Sequence, residues 1–148
     1  MIVFDTSFED LYKFLLKIDS SFPVKLSDKC SIQQYVDKLI SLGTLVIEKR
    51  NGEIVGIVGG YINDDNSKLA YISIVGVDSD YQKKGIASTL IKVFIDKCKE
   101  KKYKGVHLYT HKTNYSAITL YKKFKFKEIE LIDEKRKDDI HYVYYINN

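Results

Sequence analysis

Residues 71–77 are Tyr-Ile-Ser-Ile-Val-Gly-Val, residues 78–81 are Asp-Ser-Asp-Tyr, and residues 82–87 are Gln-Lys-Lys-Gly-Ile-Ala. The first segment is rich in β-branched and aromatic side chains, which predicts a strand. The second segment is polar and predicts a turn. The third begins an amphipathic segment that continues to about Lys102 and predicts a helix. A strand therefore leads through a short loop directly into the N-terminus of a long helix.

The start of this helix suits an anion such as a pyrophosphate. Its first N–H groups have no partners within the helix, and they lie at the positive end of the helix dipole. Gly85 has no Cβ and Ala87 is small, so phosphate oxygens can approach the backbone closely. Lys83 and Lys84 add positive charge. The spacing fits neither a Gly-x-Gly-x-x-Gly motif nor a Gly-Lys-Ser/Thr loop. An ordinary helix start with a conformationally useful glycine is the alternative interpretation.

The composition predicts a single domain over residues 1–148 and argues against several classes of protein. The net charge of +4 comes almost wholly from scattered lysines, so we expect no nucleic-acid partner. Cys30 and Cys98 lie far apart, which predicts no metal site, no disulfide framework and a reducing, cytoplasmic location. The N-terminal residues do not have the pattern of a signal peptide, and no apolar run approaches the length of a membrane span. We therefore expect no membrane partner.

Two helices are predicted before the first long strand. Thr6 begins a capping box and is the predicted N-cap of a helix over Ser7–Asp19. The stretch Ser20–Lys29 contains the only proline and is predicted to be a loop. Ser31 is the predicted N-cap of a second helix, and Gly43 ends it.

The remaining elements alternate between strands and helices. Strands are predicted over Thr44–Arg50, Glu53–Ile62, Lys68–Val77, Gly105–Thr110, Lys127–Ile132 and Ile140–Ile146. Asn51-Gly52 predicts a two-residue hairpin turn between the first two of these strands. The long central helix is a crossover, so the strands before and after it should be parallel. A further helix is predicted over Asn114–Phe124. This order predicts an α/β fold with a mixed, mostly antiparallel sheet and flanking helices.

A second motif lies in residues 114–126, which are Asn-Tyr-Ser-Ala-Ile-Thr-Leu-Tyr-Lys-Lys-Phe-Lys-Phe. Asn114, Ala117 and Tyr121 are three and four residues apart and share one face of a helix. The two motifs, Gln-x-x-Gly-x-Ala and Asn-x-x-Ala-x-x-x-Tyr, resemble those of the GCN5-related N-acetyltransferases (GNAT). The resemblance extends over most of the chain and implies the acyl-CoA N-acyltransferase fold, with a splayed central strand pair. Lys125 departs from it, because the family usually has glycine there. The family's first strand would have to come from Met1–Phe4.

The resemblance implies an enzyme that moves an acetyl group from acetyl-CoA to a primary amine of a small molecule by direct attack. It assigns Tyr121 as the proton donor to the leaving thiolate. It also assigns a backbone N–H near Val77 to the thioester carbonyl, at a strand bulge for which Gly76 is suited. The residues it implies for binding acetyl-CoA are Ile74, Val75, Gly76, Val77, Gln82, Lys83, Lys84, Gly85, Ile86, Ala87, Ser88, Asn114, Ala117 and Tyr121.

Each of these assignments has a structural alternative. Tyr121 is one of twelve tyrosines, most of which we expect to pack in a core. The strand at Val77 would otherwise be an ordinary central strand with all its backbone groups paired. Asn114 would otherwise serve as a helix N-cap. The adjacent Lys83 and Lys84 would otherwise be solvated surface charges.

The general base is left unassigned. His111 is a candidate because it follows the strand that leads to Asn114 and because histidine titrates in the useful range. A surface position is its alternative. Tyr71 and Ser73 point to one face of their strand by alternation and are expected to line the same cleft. A water chain is a further route for the proton.

The acceptor pocket is predicted between the first two helices, the Ser20–Lys29 loop and the Glu134–Asp139 turn. A small-molecule enzyme would close its cleft with that loop. A protein or peptide N-acetyltransferase, the second interpretation, would need an open groove across the strand ends. The third interpretation is a non-catalytic CoA-binding module, against which the intact motifs argue. The tyrosine-rich Tyr142–Tyr145 end would permit a homodimer.

Overall fold

The computed structural model describes residues 1–130 and 133–147. Within these residues there are seven strands: β1 (Ile2–Val3), β2 (Thr44–Arg50), β3 (Glu53–Tyr61), β4 (Leu69–Val77), β5 (Gly105–His111), β6 (Lys127–Ile129) and β7 (Asp139–Tyr145). The helices of the same residues are α1 (Phe8–Ile18), α2 (Leu26–Lys29), α3 (Ile32–Leu42), α4 (Ile86–Glu100) and α5 (Tyr115–Lys123). Short 3-10 turns lie at Asp19–Ser21, Ser79–Tyr81 and Glu134–Arg136. Leu131 and Ile132, in the predicted Lys127–Ile132 strand, lie outside the described residues.

The strands form one sheet in the order β1-β2-β3-β4-β5-β7-β6. All neighbours are antiparallel except β4 and β5. This parallel pair is joined only from Leu69↔Gly105 to Tyr71↔His107, and beyond that point no pairing between the two strands is formed in the described structure. The mixed, mostly antiparallel α/β fold with a splayed central strand pair is therefore confirmed.

The sheet separates two hydrophobic cores. On one face α4 buries Leu90, Ile91 and Phe94 against the strands, and Tyr121 of α5 joins the same cluster. On the other face α1 and α3 bury a second cluster that includes Leu15 and Leu39. No helix among the described residues is long and apolar enough to cross a membrane.

The first helix begins one residue later than predicted. Ser7, not Thr6, is the N-cap of α1, and its side chain accepts a hydrogen bond from Asp10 N at 3.2 Å. The Thr6 hydroxyl is buried without a hydrogen-bond partner among the described residues. The predicted capping box was therefore wrong, because the neighbouring serine is positioned to make the cap.

The Ser20–Lys29 stretch is not wholly a loop, because it contains the 3-10 turn and the helical turn α2. Ser31 is confirmed as the N-cap of α3, where it accepts a hydrogen bond from Gln34 N. Gly43 ends α3 as predicted, but its φ of −91° is not left-handed. A Cβ on Gly43 would lie 2.6 Å from Leu39 O, so close backbone approach requires the glycine.

The Asn51-Gly52 hairpin is confirmed, with φ values of 53° and 78° that suit a primed turn. Lys125, where the resembled family has glycine, has a left-handed φ of 67°. Met1–Phe4 does supply a short first strand, since Ile2 and Val3 pair with β2.

The predicted bulge at Gly76 was wrong. Gly76 pairs regularly with Ile57, whereas the β3–β4 register shifts where Gly59 pairs with Ile74 and Gly60 with Ile72. The extra residue is Ser73. Position 76 requires glycine for a different reason, because a Cβ there would lie 2.5 Å from Cδ1 of Ile18.

Candidate active site

The splayed strands leave backbone groups of β4 facing a gap. Asp78 N donates to Val55 O at 2.8 Å, so Asp78 and Val55 form a hydrogen-bonded pair of the antiparallel β3–β4 ladder. Because hydrogen-bonded and free pairs alternate along an antiparallel ladder, Ile74 and Gly76 bond to β3. Val75 and Val77 therefore turn their N–H and C=O groups toward the gap.

The loop after β4 is shaped by left-handed residues. Lys83 has a φ of 63°, and Gly85 has a φ of 78° at the N-cap of α4. No side chain caps this helix, and a Cβ on Gly85 would meet no atom within 4 Å. Gln82 Nε2 donates to Val77 O at 3.3 Å and ties the loop to the strand. The unpaired N–H groups at the start of α4 thus lie beside open space, as an anion site requires.

A cavity of about 380 Å³, here called cavity A, lies between the end of β4, this loop, the start of α4 and one face of α5. Twelve of the fourteen predicted cofactor residues line it. Ile74 is one exception and lines a neighbouring cavity instead. Lys84 is the other, and its Nζ lies 5.6 Å from the centre of the Tyr81 ring. The two sequence motifs therefore meet at one cavity, although they lie on different helices.

Tyr121 is a core residue whose hydroxyl group reaches the cavity. Its side chain is only 5% exposed and packs against Phe126 and Tyr142, with ring centroids 5.5 and 5.8 Å away. It lines both cavity A and the neighbouring cavity, and no described residue hydrogen-bonds to its hydroxyl. Burial raises the pKa of Tyr121. The phenol consequently keeps its proton at neutral pH and can donate it.

Asn114 is the N-cap of α5, as the structural alternative predicted. Its Oδ1 accepts from Ala117 N at 3.4 Å and from the Ser116 hydroxyl at 3.3 Å. Asn114 also lines cavity A. Capping uses only the side-chain oxygen, so a ligand can still use the amide nitrogen.

A second cavity, cavity B, is smaller, at about 110 Å³. The Ser20–Lys29 stretch forms one wall through Phe22, Pro23, Val24 and Leu26. Its other residues come from β4, β5 and α5, and they are Ser73, Ile74, Val75, Tyr109, Thr110, His111, Asn114 and Tyr121, with Lys29 at the edge. Cavities A and B share Phe22, Val75, Asn114 and Tyr121, which therefore lie at the junction between them.

His111 faces cavity B, but its bonding limits its use as a base. Thr113 N donates to His111 Nδ1 at 3.2 Å, and the Thr113 hydroxyl lies 2.8 Å from the same nitrogen. An N–H donor requires an unprotonated Nδ1, so the neutral imidazole carries its proton on Nε2. A proton on Nδ1 would break the hydrogen bond from Thr113 N, although the new N–H could donate to the Thr113 hydroxyl oxygen.

A third cavity, cavity C, of about 450 Å³ lies where β4 and β5 begin to separate. Tyr109 lines both cavity B and cavity C, so these two cavities are neighbours on either side of a shared residue. The bulge places the predicted cleft residues Tyr71 and Ser73 in different cavities. Tyr71 lines cavity C, whereas Ser73 lines cavity B and its hydroxyl lies 2.6 Å from that of Tyr35.

Comparison with known proteins assigns the chain to a family. The profile of the Acetyltransferase (GNAT) family matches residues 9–126. The chain belongs to the GNAT acetyltransferase family. Among solved structures, a GNAT-family acetyltransferase of Staphylococcus aureus Mu50 has a TM-score of 0.81, with 22% identity and 99% of each chain covered. At this identity the likeness supports the GNAT fold.

Two curated proteins are similar in sequence to this GNAT chain. The probable N-acetyltransferase san of Drosophila melanogaster is 30% identical over 118 residues, which are 78% of this chain and 60% of that protein. The N-alpha-acetyltransferase 30 of Dictyostelium discoideum is 36% identical over 83 residues, which are 54% of this chain and 44% of that protein. The chain thus spans about half the length of the curated relatives it matches.

A cluster of aromatic and imidazole rings beside the GNAT motifs was not predicted from the sequence. His107, Tyr109 and His141 form a cluster of rings with Tyr71, and Arg136 lies over Tyr109. The alternation of His107, Tyr109 and His111 on one face of the predicted strand was the available signal. The pairing of β5 with β7, which brings His141 beside Tyr109, has no local signature.

Proposed function

We propose that this GNAT chain transfers the acetyl group of acetyl-CoA to a primary amine, and that the amine is the α-amino group of a peptide. The observation that carries the proposal is that cavities A, B and C follow one another along the diverging strands and share lining residues. Cavity A suits a long thioester with an anionic end, and an extended acceptor would lie through cavities B and C from the reactive end of that thioester.

The residues of cavity A fit acetyl-CoA, which would supply the activated thioester. The open left-handed Gly85 and the uncapped start of α4 suit the pyrophosphate, with Lys83 adjacent. The gap-facing backbone groups of Val75 and Val77 suit the pantetheine amides in strand fashion. Asn114 has a free amide nitrogen on the opposite wall.

Two groups would promote the transfer itself. Tyr121 would donate its proton to the departing sulfur, a role supported by its place between cavities A and B and by a hydroxyl that no described residue hydrogen-bonds. A gap-facing N–H donates to the thioester oxygen as charge develops there. Val77 is the predicted donor, and we add Val75 because it lines both cavities beside Tyr121. The neutral amine would attack the carbonyl carbon of the acetyl group directly, the C–S bond would break as Tyr121 protonates the sulfur, and the surplus proton on the acetylated nitrogen would pass to water.

The engagement of His111, the predicted candidate base, by Thr113 favours an α-amine over a strongly basic amine. A peptide α-amine has a pKa of about 7.7–8.0 and is partly neutral at physiological pH. An alkyl amine like that of lysine, with a pKa near ~10.4, is almost wholly protonated. The lone pair of His111 Nδ1 is already used by Thr113. An acceptor that needs little deprotonation therefore suits the site.

A small-molecule amine remains the second candidate, supported by a different observation. Cavity B has a volume of only about 110 Å³ and is walled by Phe22, Pro23 and Val24 of the Ser20–Lys29 stretch. A wall of this kind encloses the end of the cleft, as the small-molecule interpretation requires. The open cavity C and the α-amine specificity in the name of the Dictyostelium relative favour the peptide.

The decisive experiment is a thiol-release assay with acetyl-CoA across matched acceptors. We expect release with short peptides that have a free N-terminus and none with the same peptides N-terminally blocked. Release only with amino sugars or polyamines would replace the peptide with the small-molecule acceptor. Thermal stabilisation by acetyl-CoA without any release would support the non-catalytic CoA-binding module.

A further inference from the structure

Cavity C is lined by two cationic side chains, each of which lies over a tyrosine ring. Lys38 of α3 lies with its Nζ 5.2 Å from the centre of the Tyr61 ring. Arg136, from the turn before β7, lies with Cζ 3.8 Å from the centre of the Tyr109 ring. Both cations line the cavity, together with Tyr71. The rings occupy only one face of each cation, so both can still contact a ligand.

The acidic groups near cavity C are largely engaged. Asp139 accepts from Arg136 Nη1 at 3.3 Å, which leaves the other guanidinium donors for another acceptor. The Asp64 carboxylate accepts two backbone N–H groups of its own turn, each at 3.2 Å, and these bonds lower its pKa. None of the ion pairs among the described residues includes Lys38. Lys38 and Arg136 therefore offer donors to an incoming anion, although the ionised Asp64 also lines the cavity.

The histidines beside the cavity add no charge at neutral pH. His107 Nδ1 and His141 Nε2 lie 3.1 Å apart, so one imidazole donates to the other. Burial and the neighbouring Arg136 lower the pKa of both imidazoles, and His141 further lowers that of His107. The pair is thus neutral and sensitive to any change in the charge at Arg136.

We infer that cavity C is a specificity subsite for an anionic group of the acceptor, which Arg136 and Lys38 bind as a carboxylate. The inference rests on the proposed peptide acetylation and narrows its substrate class to acceptors with an acidic residue near the N-terminus. A guanidinium suits this role because its planar donors match a carboxylate.

The reach of an extended peptide sets where the acidic residue lies. Val75 at the cavity A–B junction and Tyr71 in cavity C are four residues apart on β4. The Ser73 bulge lies between them, and their partners Val58 and Tyr61 on β3 are three residues apart, so at roughly 3.3 Å per residue the separation is about 10 Å along the strand. An extended acceptor spans a similar length per residue. The carboxylate is therefore expected on the second, third or fourth residue.

The test compares peptides that differ by a single glutamate in place of glutamine at positions two, three and four. At one of these positions we expect kcat/KM to rise about five- to tenfold, as for a charge-assisted contact at a half-exposed site. Arg136→Gln should bring the ratio of kcat/KM for the glutamate peptide to that for the glutamine peptide close to one. Arg136→Lys should restore part of this ratio. Lys99→Gln, which removes an exposed charge on α4, should leave the ratio unchanged. Equal rates for all pairs, or a ratio unaffected by Arg136→Gln, would overturn the inference.

A binding measurement separates this inference from the proposed function. Glutarate presents the anion without any amine, and its binding at Arg136 should raise the imidazole pKa values of His107 and His141 in NMR titrations. Neutral glutaramide and the Arg136→Gln variant are the controls. Imidazole pKa values that do not respond to glutarate would refute the subsite even if peptides are acetylated. A response without acetylation of any peptide would instead refute the proposed acceptor.

Discussion

Replacing Tyr121 with phenylalanine removes one hydroxyl from the junction of cavities A and B. The ring is 5% exposed and packs on Phe126 and Tyr142, and phenylalanine keeps these contacts. No described residue hydrogen-bonds to the hydroxyl, so the substitution breaks no protein hydrogen bond. The free energy of unfolding should therefore stay within about 1 kcal/mol of the wild-type value.

The catalytic effect should be much larger than the effect on stability. A positioned general acid contributes about 10²–10⁴-fold to a rate. A thiolate with a parent pKa near ~8.5 is already a fair leaving group, so we expect the lower end of that range. A fall of about 10²-fold in kcat corresponds to roughly 2.7 kcal/mol of transition-state stabilisation. KM for acetyl-CoA should change little, because Tyr121 acts on the departing sulfur.

The matched control is Tyr142→Phe. Tyr142 is 1% exposed, its ring lies 5.8 Å from that of Tyr121, and its hydroxyl is buried without a partner among the described residues. Its loss should leave kcat unchanged and raise stability slightly. Initial rates of thiol release and urea denaturation of both variants provide the data. A fall in kcat of less than about threefold for Tyr121→Phe, or equal losses in both variants, would refute the proton-donor role.

Three further predictions concern the backbone and an ion pair. Gly85→Ala places a Cβ on a residue with φ of 78°, so we expect a loss of about 1 kcal/mol in thermal unfolding and a higher KM for acetyl-CoA; an unchanged KM would contradict the role of the loop. Lys17 Nζ donates to the buried Asp78 carboxylate at 2.5 Å and lowers the pKa of Asp78. The pair therefore stabilises the fold above the pKa of about 3.9 that Asp78 has in the unfolded chain. This stabilisation is lost as the pH falls through the lower pKa of Asp78 in the folded protein. Lys17→Met should therefore reduce urea stability at neutral pH, with a smaller difference near about pH 3, and a difference independent of pH would count against the pair. Ser7→Ala should cost about 1 kcal/mol in urea unfolding, whereas Thr6→Val should cost nothing, and the reverse order would restore Thr6 as the cap.

Local signals predicted the local features of this fold well. The Asn51-Gly52 turn and the Ser31 cap depend on residues within one turn of the chain, so the sequence contains the information they need. The choice between Thr6 and Ser7 failed because both can cap and only the packing of α1 decides between them. The two GNAT motifs were found because each is a short pattern at one helix start.

The features that were missed depend on contacts between distant residues. At the Ser73 bulge the two strands approach so closely that a Cβ on Gly60 would lie 2.1 Å from Tyr71 O, so this bulge requires a glycine on the facing strand. The cluster around cavity C needs the β5–β7 register, which aligns Tyr109 with His141. Neither the position of the bulge nor the β5–β7 register can be predicted from the spacing of residues within a single strand or helix.

The bulge at Ser73 connects the core to the candidate site. Before it, Ala70 and Ile72 pack in the α4-side core, and after it Ile74 packs in the core of α1 and α3. One inserted residue changes the face to which every later side chain points. Removing it would turn Ile74 toward the wrong core. It would also exchange the backbone groups that face the gap with those that bond to β3. The packing of two hydrophobic cores therefore keeps the N–H group of Val75 turned toward the gap between β4 and β5.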